Sequence, residues 1–155
     1  ATDVPDIPDG EKVMKYTTNK GGNAAELYID IPEVSNGRLE FSVYQPEGAR
    51  SNFGIKPYYE DTQLINFWIS AGGELRLPDR VQLKVGTWHI FKFEWSESDG
   101  KLFVYQKVDG DWVDRGESNI ENVPNKISVD GGVTDKNASG ALDNFKLYDL
   151  DLMPE

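Results

Sequence analysis

Two groups of side chains in this sequence have the types and spacing to do chemistry. The first centres on His89, the only histidine, a residue type that can pass a proton to or from a reacting group; sharing a side with Phe91 and Phe93, it is expected to be structural and not a general base. The second is a set of flat rings beside amides and cations. The run Gln63 to Ala71 alternates so that Ile65, Phe67 and Ile69 share one side, leaving Trp68 and Asn66 on the other. Arg38 to Gln45 sets Leu39, Phe41 and Val43 against Arg38, Glu40 and Tyr44, while Ser51 to Pro57 leaves Lys56 and Asn52 on its open side, with Tyr58 in the loop beyond. An indole or phenol ring offers an apolar plane to the C–H face of a sugar, and amide, guanidinium and ammonium groups bond its hydroxyls and carboxylates. Trp68, Tyr44, Asn66, Lys56 and Arg38 are expected to form one sugar-binding face, with Tyr58 at its rim.

The elements that must position these residues are strands. Around Val85 to Gly110, His89, Phe91, Phe93 and Trp95 alternate with Ile90, Lys92 and Glu94, the period of two of a strand with one buried face. Ser98-Asp99-Gly100 then turns the chain, and Lys101 to Val108 resumes the alternation before a second turn at Asp109-Gly110. Further strands are expected at Lys12 to Thr18, Ala24 to Ile31, Glu74 to Leu77, Val81 to Val85, near Lys126 to Val129, and Ala141 to Leu152, with Asn36-Gly37 as a turn. Trp88 and Trp95 are expected in the core or at its edge, and Trp112 as a loop anchor. No stretch has helical periodicity. Ten to twelve short strands with regular turns predict an all-β fold, a two-sheet antiparallel β-sandwich of the jelly-roll kind.

At 155 residues, 38% hydrophobic and 12% aromatic, the chain suits a single domain with a sizeable core. Residues 1–10, with Pro5 and Pro8 among acids, read as an extended arm. No run reaches the roughly 18 apolar residues of a membrane helix, and no segment reads as a signal peptide. A chain that opens at Ala1 reads as processed or excised from something larger. The absence of cysteine excludes disulfides and thiolate chemistry. A net charge of -11 works against nucleic acid and anionic membranes as partners. Calcium is the more natural ion for so many carboxylates, which otherwise form a solvated acidic surface.

Trp88-His89, Gly100-Lys101-Leu102-Phe103-Val104-Tyr105 and the closing Gly140-Ala141-Leu142-Asp143-Asn144-Phe145-Lys146-Leu147-Tyr148 resemble the strands of laminin-G and concanavalin A-like jelly rolls, among them bacterial carbohydrate-binding modules. The resemblance implies a non-catalytic module that recognises a polysaccharide, with a polyuronate suggested by the cations Lys56, Arg38, Arg76 and Lys92. It further implies linkage to a catalytic domain in a larger secreted bacterial enzyme. In related modules the aspartate opening the last strand often ligates a structural calcium, which here implies Asp143 with Asp6 and Asp9 of the arm; otherwise Asp143 caps a turn. The same superfamily holds alginate lyases with R-x-E-x-R, Q-x-H and Y-x-K-x-G-x-Y motifs. Arg38-Leu39-Glu40, Thr87-Trp88-His89 and Tyr105-Gln106-Lys107 echo these in part, without the second arginine or the glutamine. A lyase using Tyr105, His89 and Arg38 is therefore the enzyme alternative, and a laminin G-like adhesion domain the third.

Overall fold

The computed structural model describes residues 14–17, 25–48, 51–77, 79–133 and 139–152. The alternating runs become strands, and no helix occurs among the described residues. In chain order they are β1 (Met14–Thr17), β2 (Ala25–Asp30), β3 (Asn36–Tyr44), β4 (Ser51–Tyr59), β5 (Thr62–Gln63), β6 (Trp68–Ile69), β7 (Glu74–Arg76), β8 (Arg80–Gln82), β9 (Trp88–Ser96), β10 (Lys101–Val108), β11 (Asp111–Asn119), β12 (Lys126–Val133) and β13 (Ser139–Asp149). One sheet has the order β1-β13-β3-β9-β10-β11 and the other β2-β12-β4-β6-β7-β8, with β5 beside β4. The pairings are antiparallel. The expected two-sheet sandwich is what the chain forms.

The core lies where the inner faces meet. Leu39, Phe41 and Val43 of β3 and Phe91, Phe93 and Trp95 of β9 face Phe53 and Ile55 of β4, Phe67, and Ile127 of β12, all buried. Phe41 sits centrally, with ring centres of Phe93, Phe67, Phe91 and Phe145 at 5.0, 5.6, 6.0 and 6.5 Å. Each such ring contributes about 1.5–3 kcal/mol by leaving water. Because the inner residues are fixed in this way, parity fixes which side chains point outward.

Four details differ from expectation. Asn36-Gly37 is not a turn but the start of β3. Glycine is needed there because a β-carbon would lie 2.2 Å from Cζ2 of Trp95, whose Nε1 donates to the Val34 carbonyl at 2.9 Å. Gln63 to Ala71 is not one strand: only Gln63 and Trp68–Ile69 fall in strands, and Leu64, which a strict alternation puts outside with Asn66 and Trp68, is buried beside Ile65. Trp112, expected as a loop anchor, lies instead in the nine-residue edge strand β11, whose polar residues hide the period of two. Tyr58 and Tyr59 belong to β4 and not to a loop.

Candidate functional site

The outer face of the β3–β9 sheet brings rings and charges together in rows set by register. Tyr44 lies opposite Trp88, Ser42 opposite Ile90, Glu40 opposite Lys92 and Arg38 opposite Glu94. Same-face residues along a strand are about 6.8 Å apart, so the four rows span about 20 Å. The first row is an aromatic pair, with ring centres 5.4 Å apart and planes at 45°. Trp88 keeps 45% of its surface exposed and Ile90 keeps 41%. Beside them is a depression of about 270 Å³ lined by Glu40, Ser42, Ile90, Lys107, Trp112 and Lys146. That is slightly under the size of a pocket that encloses a small ligand, roughly 300 Å³ and upward, and suits a shallow seat for part of a chain lying across the sheet.

The rows beyond are built more rigidly. Lys92 is almost fully buried, its Nζ 2.9 Å from Glu94 Oε2 and over the rings of Trp112 at 4.5 Å and Tyr105 at 5.0 Å. Arg38 Nε donates to the same Glu94 oxygen at 2.8 Å, and its guanidinium lies 5.9 Å from the Tyr148 ring centre. Burial pushes the Glu94 carboxyl up, but hydrogen bonds and charge from Lys92 and Arg38 outweigh it and hold it below the ordinary carboxylate value. Tyr105 is pushed the other way, upward, by burial and by the charges of Glu94, Asp114 and Glu117. Tyr148 is raised likewise by burial, then by the charge of Glu40 and a hydrogen bond to it. Both phenols thus stay protonated at neutral pH and suit hydrogen bonding better than proton abstraction.

Tyr105, His89 and Arg38, the residues of the lyase alternative, do not converge. Arg38 and Tyr105 point outward, whereas His89 shares the inward parity of Phe91 and Phe93. Its Nε2 donates to the Lys84 carbonyl at 2.7 Å, and Nδ1 accepts from Gln106 Nε2 at 3.4 Å. Gln106 Oε1 in turn accepts from Arg115 Nε at 3.0 Å. Both ring nitrogens are committed to holding the rim of the sandwich.

The six expected binding residues are divided between opposite faces. Tyr44 and Arg38 lie on the outer face just described. Trp68, Lys56 and Tyr58 lie on the outer face of the other sheet, and exposed Asn66 lines a cleft with Trp68. The face expected to unite them is therefore two faces, because β3 and β4 belong to different sheets. On the second face Lys56 Nζ is 3.0 Å from Asp130 Oδ2, and the pair lies across Gly54, where a β-carbon would be 2.5 Å from Asp130 Oδ1. Tyr58 packs edge-on to Tyr28 at 6.3 Å. Sequence reasoning missed Trp88, Ile90, Lys107, Lys146 and Trp112. Parity already put Trp88 outward with Ile90, and continuing the hairpin past Asp109-Gly110 puts Trp112 opposite Lys107.

For calcium, the carboxylate chemistry of Asp143 suits the ion. Asp143 of β13 pairs with Ser42 of β3, beside a bulge between Asp143 and Lys146. Asp6 and Asp9 lie outside the described residues. Among the described residues no three carboxylate or imidazole groups gather as a metal site.

No known protein family matches the chain, and no curated protein does. Solved structures match well. A sialidase superposes with a TM-score of 0.72 at 14% identity over 90% of this chain, which spans only 15% of the sialidase. CG-16, a homodimeric agglutinin from chicken liver, gives 0.54 at 10% identity over 80% of this chain and all of its own. The alginate lyase from Corynebacterium sp. gives 0.50 at 19% identity over 73% of this chain and 57% of its own. The fold is a concanavalin A-like jelly roll. At these identities the likeness concerns the fold, and function has to be argued from the sites.

Proposed function

We propose that the chain is a non-catalytic carbohydrate-binding module that holds a polysaccharide, with a preference for an acidic one, along the outer face of the β3–β9 sheet. The observation that carries this is the Tyr44–Trp88 pair, an exposed aromatic platform continuous with a depression whose cations, Lys107 and Lys146, outnumber its one carboxylate, Glu40. In a chain of net charge -11, such a local excess favours a polyuronate. The names of the structural neighbours, a sialidase, an agglutinin and an alginate lyase, support a glycan as the ligand. That this chain spans only 15% of the sialidase supports an accessory place within a longer protein, and secretion of that protein is part of the proposal. The outward Arg38 and Tyr105 with an inward His89 disfavour a lyase built on those three.

Electrophoresis through gels containing acidic or neutral polysaccharide tests the reading. Retardation by an acidic polysaccharide, lost in Trp88→Ala and without ultraviolet absorbance from unsaturated ends, is the expected result. The appearance of such ends would overturn it in favour of a lyase, and capture of a protein with no glycan retention would favour adhesion. A structural calcium held by Asp143, Asp6 and Asp9 belongs to the same proposal. Excess chelator should then lower the melting temperature, because a ion bound only to the folded state stabilises it, and an unchanged melt would contradict the site.

A further inference from the structure

A second feature stands apart from the Tyr44–Trp88 face, on the flank where β11 approaches the other sheet. A cleft of about 550 Å³ opens there, lined by Trp68, Asn66, Gln63, Arg76, Arg80 and Glu117 among others. Its floor is one row across three strands: Trp68 pairs with Arg76, and Arg76 pairs with Arg80. Two arginines directly opposite each other in an antiparallel ladder repel. Glu74 Oε1 accepts from Arg76 Nε at 2.9 Å and stands 3.6 Å from Arg80 Nη1, so one carboxylate serves two guanidiniums. Glu117 on the facing wall is bound to Lys101 at 2.6 Å. The row therefore keeps an excess positive charge inside a strongly acidic protein, and it opens onto a cavity.

The geometry of Arg76 also fixes its use. Its guanidinium lies 4.6 Å from the Trp68 ring centre, held in place by the stack and by the Glu74 bond to Nε, which leaves the terminal nitrogens directed elsewhere. Arg80, 66% exposed in its side chain, supplies a second fork. Paired forks recognise planar or tetrahedral oxyanions, and the amides of Asn66 and Gln63 suit hydroxyl groups beside one.

We propose that this flank cleft is a second ligand site, specific for a sugar unit bearing an anionic group, carboxylate or sulfate, and bound by Arg76 and Arg80 with Trp68 as their support. The ligand class rests on the glycan reading above, but the site shares no residue with the Tyr44–Trp88 face. The test is a nuclear magnetic resonance titration that follows the indole N–H signals of Trp68 and Trp88 separately, each assigned by its Trp→Phe variant. The probes are an oligogalacturonate, a sulfated neutral oligosaccharide and the same oligosaccharide without sulfate.

Saturable shifts of the Trp68 signal with either anionic probe, and not with the neutral one, are expected; whichever probe acts identifies the anionic group. The Arg76→Gln/Arg80→Gln pair should weaken them about tenfold or more, whereas Trp88→Ala should leave them in place. Arg80→Gln alone, at an exposed position, should show part of the loss with an unchanged fold. A Trp68 signal indifferent to both anionic probes, equal response to the neutral one, or equal response to sodium sulfate would overturn the proposal. Failure of the Trp88 signal to move while Trp68 responds would remove the first site and leave this one standing.

Discussion

On the outer face of the β3–β9 sheet the Trp88 indole stands 45% exposed with Tyr44 as its cross-strand neighbour, while on the opposite face Trp68 carries the Arg76 guanidinium 4.6 Å from its ring centre and Tyr28 carries Lys126 at 5.2 Å. Both faces have aromatic rings, lysines and carboxylates. Both also have cations over rings, Lys92 over Trp112 and Tyr105 on the first, so the difference is what stands beside the leading tryptophan, Tyr44 beside Trp88 and Arg76 beside Trp68. A ring beside another ring keeps an apolar plane for a ligand, and a ring beside a long cation is stacked by the protein itself. The charges differ in the same way. On the first face Glu94 is shared by Arg38 and the buried Lys92, and on the second Lys56 and Asp130, no more exposed than Glu94, form a single pair across Gly54.

The largest effect that would sharpen or break this comparison is on stability. Glu94→Ala takes from Lys92, 9% exposed in its side chain, the carboxylate that bonds it, and should cost about 2–4 kcal/mol in denaturant unfolding. Asp130→Ala on the other face, which breaks one ion pair where Glu94→Ala breaks two, should cost less, about 1–2 kcal/mol. Equal costs would mean the two networks are alike. Next comes glycan affinity measured by calorimetry. Trp88→Ala should lose about 2 kcal/mol, roughly thirtyfold, and Tyr28→Ala less than about twofold. Smaller again is the effect of charge at the depression. The Lys107→Gln/Lys146→Gln pair should weaken binding of an acidic polysaccharide about fivefold at low salt, less at high salt, and leave a neutral one unaffected.

The smallest effect is the acid limb of stability. Glu94 has its carboxyl lowered in the folded protein, so its contribution is present above the unfolded value near 4.5 and is lost as pH falls through the lower folded value. Glu94→Gln should flatten that part of the pH–stability curve, and an unchanged curve would show that the network does not titrate there.

The sandwich was legible because the inner faces are made of uninterrupted alternation: Leu39-x-Phe41-x-Val43 and Phe91-x-Phe93-x-Trp95 each declare a buried side. Outward parity was legible for Arg38, Tyr44, Lys56 and Trp68 as well. What one strand does not encode is which sheet it joins, so four residues of the β4–β6 side were grouped with two of β3. Trp88 was expected in the core or at its edge, although parity pointed it outward, where it stands 45% exposed. Trp112 was hidden because β11 is a polar edge strand, and a register shift opposite Val104 and Tyr105 breaks its alternation further.

The most direct test of the central claim is to map backbone amide shifts in the wild-type protein saturated with an acidic oligosaccharide. Perturbations running along Ser42 and Tyr44 of β3, Trp88 and Ile90 of β9, and Lys107 of β10 are the predicted result. A bound spectrum in which β3 and β9 are unchanged would contradict the account.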